Sequence, residues 1–319
     1  MLFAHSRSAG RYPGRKMTVL AVAVFAIGWP VGQLLSQSKE ERVEQSGRSI
    51  TSAPGGSDKS VSPADYFERG RFAESTQDYG EAARLYRRGA QRGHAPCQNN
   101  LGYMLLKGQG VPPDPKDAAA WFRDAARQSY PPAQNNLGVC YRDGLGVKQD
   151  EGIAAKWFLQ AAEAGLAEAQ NNLGIRFYRG RGMRQDTEEA MRWFTKAADQ
   201  GLGNAWVNIG ICYVEGNGAP KDLVKAFELF TRAAEKGDTD GLLSLGFAYM
   251  QGTKIPKDLV RAYICFNTAV SFGDNYASQA RTKLRREMTD KQVSEAQRRS
   301  FETSTRDQAQ RSNDSRSEP

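Results

Sequence analysis

The sequence predicts an all-α fold built as an array of stacked helical hairpins. A fixed period carries that prediction. Leu101-Gly102, Leu137-Gly138, Leu173-Gly174, Ile209-Gly210 and Leu245-Gly246 recur every 36 residues, and Asp114, Asp150, Asp186, Asp222 and Asp258 keep the same register. Such self-similarity marks a repeat architecture, in which each unit buries its apolar face against its neighbours. Composition agrees: the 319 residues are 39% apolar and 25% charged, near globular averages, which excludes a wholly disordered chain and a polytopic membrane protein. Glycine is in excess, 32 residues against the ~7% expected, and the period gives most of these glycines fixed places.

Each period reads as two helices. In the first, Cys97, Leu101, Gly102 and Leu105 share one face, and Gly108 stops the helix in the left-handed conformation that glycine tolerates. Gly-x-Gly loops follow at 108–110, 144–146, 180–182 and 216–218, and Asp114 and its equivalents supply N-caps for the second helix. There Ala118, Trp121, Phe122, Ala125 and Ala126 form the buried stripe. Gly165, Gly201, Gly237 and Gly273, with Ser129 in one unit, turn the chain back. A glycine inside a helix costs ~1 kcal/mol relative to alanine. Gly102 and its equivalents therefore predict a close helix approach, with the Trp/Phe pair of the partner helix packed over them.

The pattern A-x-x-N-L-G-x-x-Y-x-x-G-x-G-V-x-x-D-x-x-x-A-x-x-W-F-x-x-A-A-x-x-G resembles the Sel1-like repeat family, relatives of the tetratricopeptide repeats, and residues 136–147 hold nearly all of its first half. The resemblance covers residues 64–273. It implies a right-handed α-solenoid whose first helices line a concave surface, used in the family mainly as an adaptor for other proteins. The unit 64–93 lacks the Gly-x-Gly loop and reads as a capping repeat, followed by five units of 36 residues. Lys254 replaces the second loop glycine of the last unit, so a differently shaped loop is expected there. Residues 274–303 read as C-terminal capping helices, 276–287 and 290–301 with Thr289 as the N-cap between them. The polar tail 304–319 is expected to be disordered.

The ends of the chain carry its charge. The net charge is +8, yet residues 62–280 hold 26 Lys and Arg against 25 Asp and Glu, which argues against a nucleic-acid partner. The basic segment 1–16 precedes an apolar run at 17–35, long enough at 1.5 Å per residue to cross a bilayer, followed by a flexible Ser/Gly/Pro-rich linker at 36–63. Residues 17–35 are expected to form a single N-terminal hydrophobic helix that anchors the chain in the membrane. The other readings are a signal peptide cleaved near Ser36 to Ser38, or a mitochondrial presequence. The array would then be exported to a bacterial periplasm or cell envelope, or would face the mitochondrial intermembrane space.

Nothing in the sequence assembles an active site. The two histidines, His5 and His94, fall in the N-terminal segment and an interhelix turn, and no P-loop, dinucleotide fingerprint or nucleophile elbow is present. No enzyme, metal or cofactor is expected. Cys97, Cys140, Cys212 and Cys265 lack CxxC spacing and are expected as buried, inert thiols. The candidate binding row is Asn100, Asn136, Asn172 and Asn208, beside a ridge that begins at Tyr103. By analogy with tetratricopeptide grooves, the amides would bond the backbone of an extended peptide. The alternative duty is to satisfy loop carbonyls of the adjoining unit. Arg142, Arg176 and Tyr178 vary from unit to unit and are the expected selectivity contacts. The expected function is a non-enzymatic scaffold that binds a protein or peptide on the concave face. The rival is a cell-envelope glycan or exopolysaccharide-assembly module, for which a solvent-facing Trp206 or Tyr178 would be the sign.

Overall fold

The computed structural model describes residues 61–314, with side chains described through residue 302. The segments 1–16 and 17–35, nearly all of the linker 36–63 and residues 315–319 lie outside the described residues. Fourteen helices and no strand occur among the described residues: α1 (Pro63–Ser75), α2 (Tyr79–Gln91), α3 (Ala95–Lys107), α4 (Pro115–Ala126), α5 (Pro131–Asp143), α6 (Glu151–Glu163), α7 (Ala167–Arg179), α8 (Thr187–Asp199), α9 (Gly203–Glu215), α10 (Leu223–Glu235), α11 (Thr239–Gln251), α12 (Leu259–Ser271), α13 (Asn275–Arg285) and α14 (Asp290–Asp314). Sequential helices pack as hairpins, and hairpins stack in chain order. The fold is an all-α solenoid. Among the described residues no helix is long and apolar enough to cross a membrane, and the expected anchor at 17–35 is outside them.

Local chemistry sets each boundary. Asp114, Asp150, Asp186, Asp222 and Asp258 each accept a backbone N–H of the first turn of the second helix at 2.8–3.0 Å, satisfying donors that would otherwise be orphaned. First helices end on Gly108, Gly144, Gly180, Gly216 and Gly252, all at positive φ. Lys254 keeps the left-handed conformation of the glycine it replaces, at φ +65°, so the loop retains its backbone conformation at that residue against expectation and the lysine carries the strain.

The core runs as a file of phenylalanines. Phe122, Phe158, Phe194, Phe230 and Phe266 are each at most 2% exposed, and burying such a side chain contributes about 1.5–3 kcal/mol. Each ring lies over the interior glycine of its own unit: a Cβ at Gly174 would stand 2.6 Å from the Phe194 ring. The phenylalanine of the Trp/Phe pair makes this contact, while Trp121 and Trp157 lie half-buried and pack against the core from its margin. The second loop glycine is part of the stack as well. A Cβ at Gly182 would overlap the Glu151 carbonyl at the start of α6, in the preceding unit. At the C-terminal end Thr289 and Gln292 form the reciprocal cap of α14, and the helix runs on to Asp314, past the expected boundary at residue 303. Arg298 pairs with Glu295 and Glu302 at i,i±3 and i,i+4 spacings that favour such continuation.

Candidate functional site

The asparagine row joins the units to one another. Asn136 Nδ2 donates to Asn99 Oδ1 at 2.9 Å, Asn172 Nδ2 to Asn135 Oδ1 at 2.9 Å, and Asn208 Nδ2 to Asn171 Oδ1 at 2.8 Å. Asn100 starts the ladder by accepting from Asn99 Nδ2 at 3.2 Å. The ladder thus needs two adjacent rows of asparagine. Its partner row, Asn99, Asn135 and Asn171, was the element missed by sequence reasoning, although the repeated Gln-Asn-Asn triplet carried the signal. Val207 breaks that row, and Asn208 is the last rung. Carbonyl satisfaction falls to the glutamines one residue earlier: Gln98, Gln134 and Gln170 donate to the Ala90, Ala126 and Ala162 carbonyls of the preceding second helices at 3.2–3.5 Å. These bonds satisfy carbonyls at the ends of the second helices and tie them to first helices that carry no side-chain N-cap.

Burial then decides what a partner could reach. In α5 every residue from 133 to 140 is buried, Asn136 and Val139 included, and Ile175 and Phe247 of the same ridge are 8% exposed. The middle of the first helices is packed shut at these positions. Asn100, Asn172, Asn208 and Tyr103 are half-buried. At the C-terminal ends of the first helices, beside the Gly-x-Gly loops, Asp143 and Arg179 are exposed, while Tyr141, Arg142, Phe177, Tyr178, Tyr213 and Glu215 are half-buried. This loop edge gathers Arg142, Tyr178 and the loop side chains of successive units.

Two of the variable side chains, Tyr178 and Arg176, bridge one unit to the next. The Tyr178 hydroxyl donates to Glu215 and accepts from Asn217 Nδ2 at 3.2 Å. Burial, reinforced by Glu215, pushes the phenol up, so it stays protonated. Arg176 is 4% exposed, in a row otherwise filled by Met104, Cys140, Cys212 and Ala248. Its Nη1 donates to Glu151 of the preceding hairpin, while its buried Nε has no partner. Burial lowers the guanidinium to about 10, against the pull of Glu151, so it remains charged at neutral pH. Arg142 forks onto Asp143 through Nε and Nη2, both at 2.7 Å. Tyr103 sits near Glu74 and Tyr79, its hydroxyl raised chiefly by burial. All four cysteines are buried and unpaired, and burial pushes each thiol up to about 12. No cluster of three metal-ligating side chains occurs among the described residues.

Fourteen helices stacked in this way among the described residues define a helical-repeat solenoid. The Sel1 repeat model matches residues 64–94, 95–130, 131–166, 167–202, 207–238 and 239–271, and the chain belongs to the Sel1 repeat family. Among solved structures it is similar to a Sel1 repeat protein from Oxalobacter formigenes, 31% identical with a TM-score of 0.61 over 68% of this chain and 86% of that one. It is also similar to c5321, a protective antigen of uropathogenic Escherichia coli strains displaying an SLR fold, 30% identical with a TM-score of 0.60 over 77% of this chain and 54% of that one. No curated protein matches the chain.

Proposed function

We propose that the chain is a non-enzymatic scaffold that docks a protein or peptide partner along the loop edge of its first helices. In this reading residues 17–35 hold it at a membrane of the cell envelope. One observation carries the proposal: the edge keeps exposed or half-buried polar side chains that differ from unit to unit, on a frame whose repeated amides already bond one another. Sel1 repeats commonly mediate contact between proteins, in keeping with this. Arg142, Tyr178 and Tyr103 are the selectivity contacts in this scheme. The asparagine ladder holds their spacing, and of its members Asn100, Asn172 and Asn208 are half-buried while Asn136 is closed to a partner. A glycan partner would call for solvent-facing aromatics, whereas Trp206 packs against two core clusters and the Tyr178 hydroxyl is engaged within the solenoid.

Photocrosslinking tests the edge. A photoreactive phenylalanine analogue placed at Tyr141 or Tyr213 of the full chain in its native membrane should capture a discrete protein product. The same group at Lys156 or Arg232, exposed on second helices, should not. Capture only from Lys156 and Arg232 would refute docking at the edge.

A further inference from the structure

Four guanidiniums crowd the edge where the third and fourth units meet. Arg142 stands in a row with Leu106, Tyr178, Val214 and Met250, and Arg176 in a row of thiols and apolar groups. Arg181 stands in a row with Gln109, Leu145, Asn217 and Thr253, and Arg179 in one with Lys107, Asp143, Glu215 and Gln251. Across all twenty positions of these rows, Lys107 is the only other cation. Two adjacent units therefore concentrate charge at places where their neighbours are mostly apolar or neutral. The carboxylates paired with these arginines are Glu151, shared by Arg176 and by Arg181 at 3.8 Å, and Asp143, taken up by Arg142. Four cations face two anions. Arg179 is exposed and forms no hydrogen bond or ion pair among the described residues, and the Arg181 side chain is 54% exposed. Burial, together with Arg142 and Arg181, acts against the ionisation of Arg176 and of Arg179, while Glu151 favours both, so Arg176 and Arg179 share the same charged neighbours. Like charges held this close destabilise the fold unless an anion joins them.

We propose that this patch receives an acidic peptide segment, whose Asp or Glu carboxylates are taken by Arg179 and Arg181, with Arg142 and the buried Arg176 supplying field behind them. The inference rests on the docking reading above and adds the chemistry of the partner. Guanidinium forks match carboxylates with two parallel, charge-assisted bonds, which suits a small patch. A nucleic acid fits less well. The same edge row turns acidic on both sides of Arg179, at Asp143 and Glu215, so a continuous phosphate track would meet repulsion within one unit in either direction.

The test selects peptides from a random library on the full chain and measures the affinity of a selected peptide for three variants by fluorescence anisotropy. Selected peptides should be enriched in Asp and Glu. The double variant Arg179→Gln, Arg181→Gln should bind about tenfold or more weakly, the worth of at least one charge-assisted pair. Arg179→Lys, Arg181→Lys should retain part of the affinity, and Lys156→Gln, Arg232→Gln should match the unaltered protein. Selected peptides without acidic enrichment, or equal affinity for the glutamine double variant with an unchanged melting midpoint, would overturn the acidic partner and leave docking at the edge standing. Failure to select any peptide would count against both.

Discussion

At Gly174 the absence of a side chain is a packing requirement. The Phe194 ring occupies the place of a Cβ, so Gly174→Val must displace a buried aromatic or open the α7–α8 pair. We expect a loss of about 1–3 kcal/mol, read as a lower melting midpoint together with faster hydrogen exchange in α7 and α8. An unchanged midpoint would contradict the contact. That glycine was legible in the sequence because a costly residue recurred at one register, and its ring partner recurred at another. Asp240 was not legible. Its carboxyl is raised to about 7, first by burial and then by Asp238 at the same helix start and by Asp274 from the start of α13, a neighbour distant in sequence. The folded value lies above the ordinary 3.8, so the fold prefers the protonated acid. The associated stability is fully present below the ordinary value and is lost as pH rises through about 7. Denaturation midpoints should therefore fall between pH 4 and pH 8, and Asp240→Asn should flatten that slope and exceed the unaltered protein in stability at pH 8. A slope unchanged by the substitution would remove Asp240 as its source.

Elements meet through two devices, the amide ladder and the loop glycines. Asn136→Ala deletes a rung and leaves the Asn99 side-chain oxygen buried without its donor, which should cost about 1–3 kcal/mol. Protection should be lost on both sides of the rung, in α3 and α5, and loss confined to α5 would argue against an inter-unit bond. Lys254→Gly should act in the opposite direction. It removes a left-handed lysine, and the stability of the α11–α12 hairpin should rise by up to about 1 kcal/mol, because glycine returns part of the gain as unfolded-chain entropy. A lower midpoint would mean the lysine is anchored by something other than its backbone. Helix order, caps and turns could all be anticipated, since Asp and Gly act within a few residues of their own position. The pairing of one asparagine row with another could not be anticipated from either row alone, because the bond spans 37 positions in sequence. The course of α14 to Asp314 went beyond expectation for a related reason. Polarity suggested a loose tail, while α14 is seated on the core through Val293 and Ala296 and its i,i+4 pairs of Arg with Glu favour continued helix.

Over the whole molecule the consequence is division of labour. Phenylalanines and interior glycines close each hairpin, amide rungs and loop glycines join one unit to the next, and stability is accordingly a sum of units and interfaces along one dimension. In the proposed reading a partner meets the edge where first helices end, with a cationic section near its centre. The direct measurement is hydrogen exchange of the full chain with and without a bound, selected peptide. Slowed exchange should concentrate in residues 141–151, 177–187 and 213–223, with the second-helix segments 152–163 and 188–199 unchanged. Protection confined to those second helices, or spread evenly over the array, would contradict a docking edge.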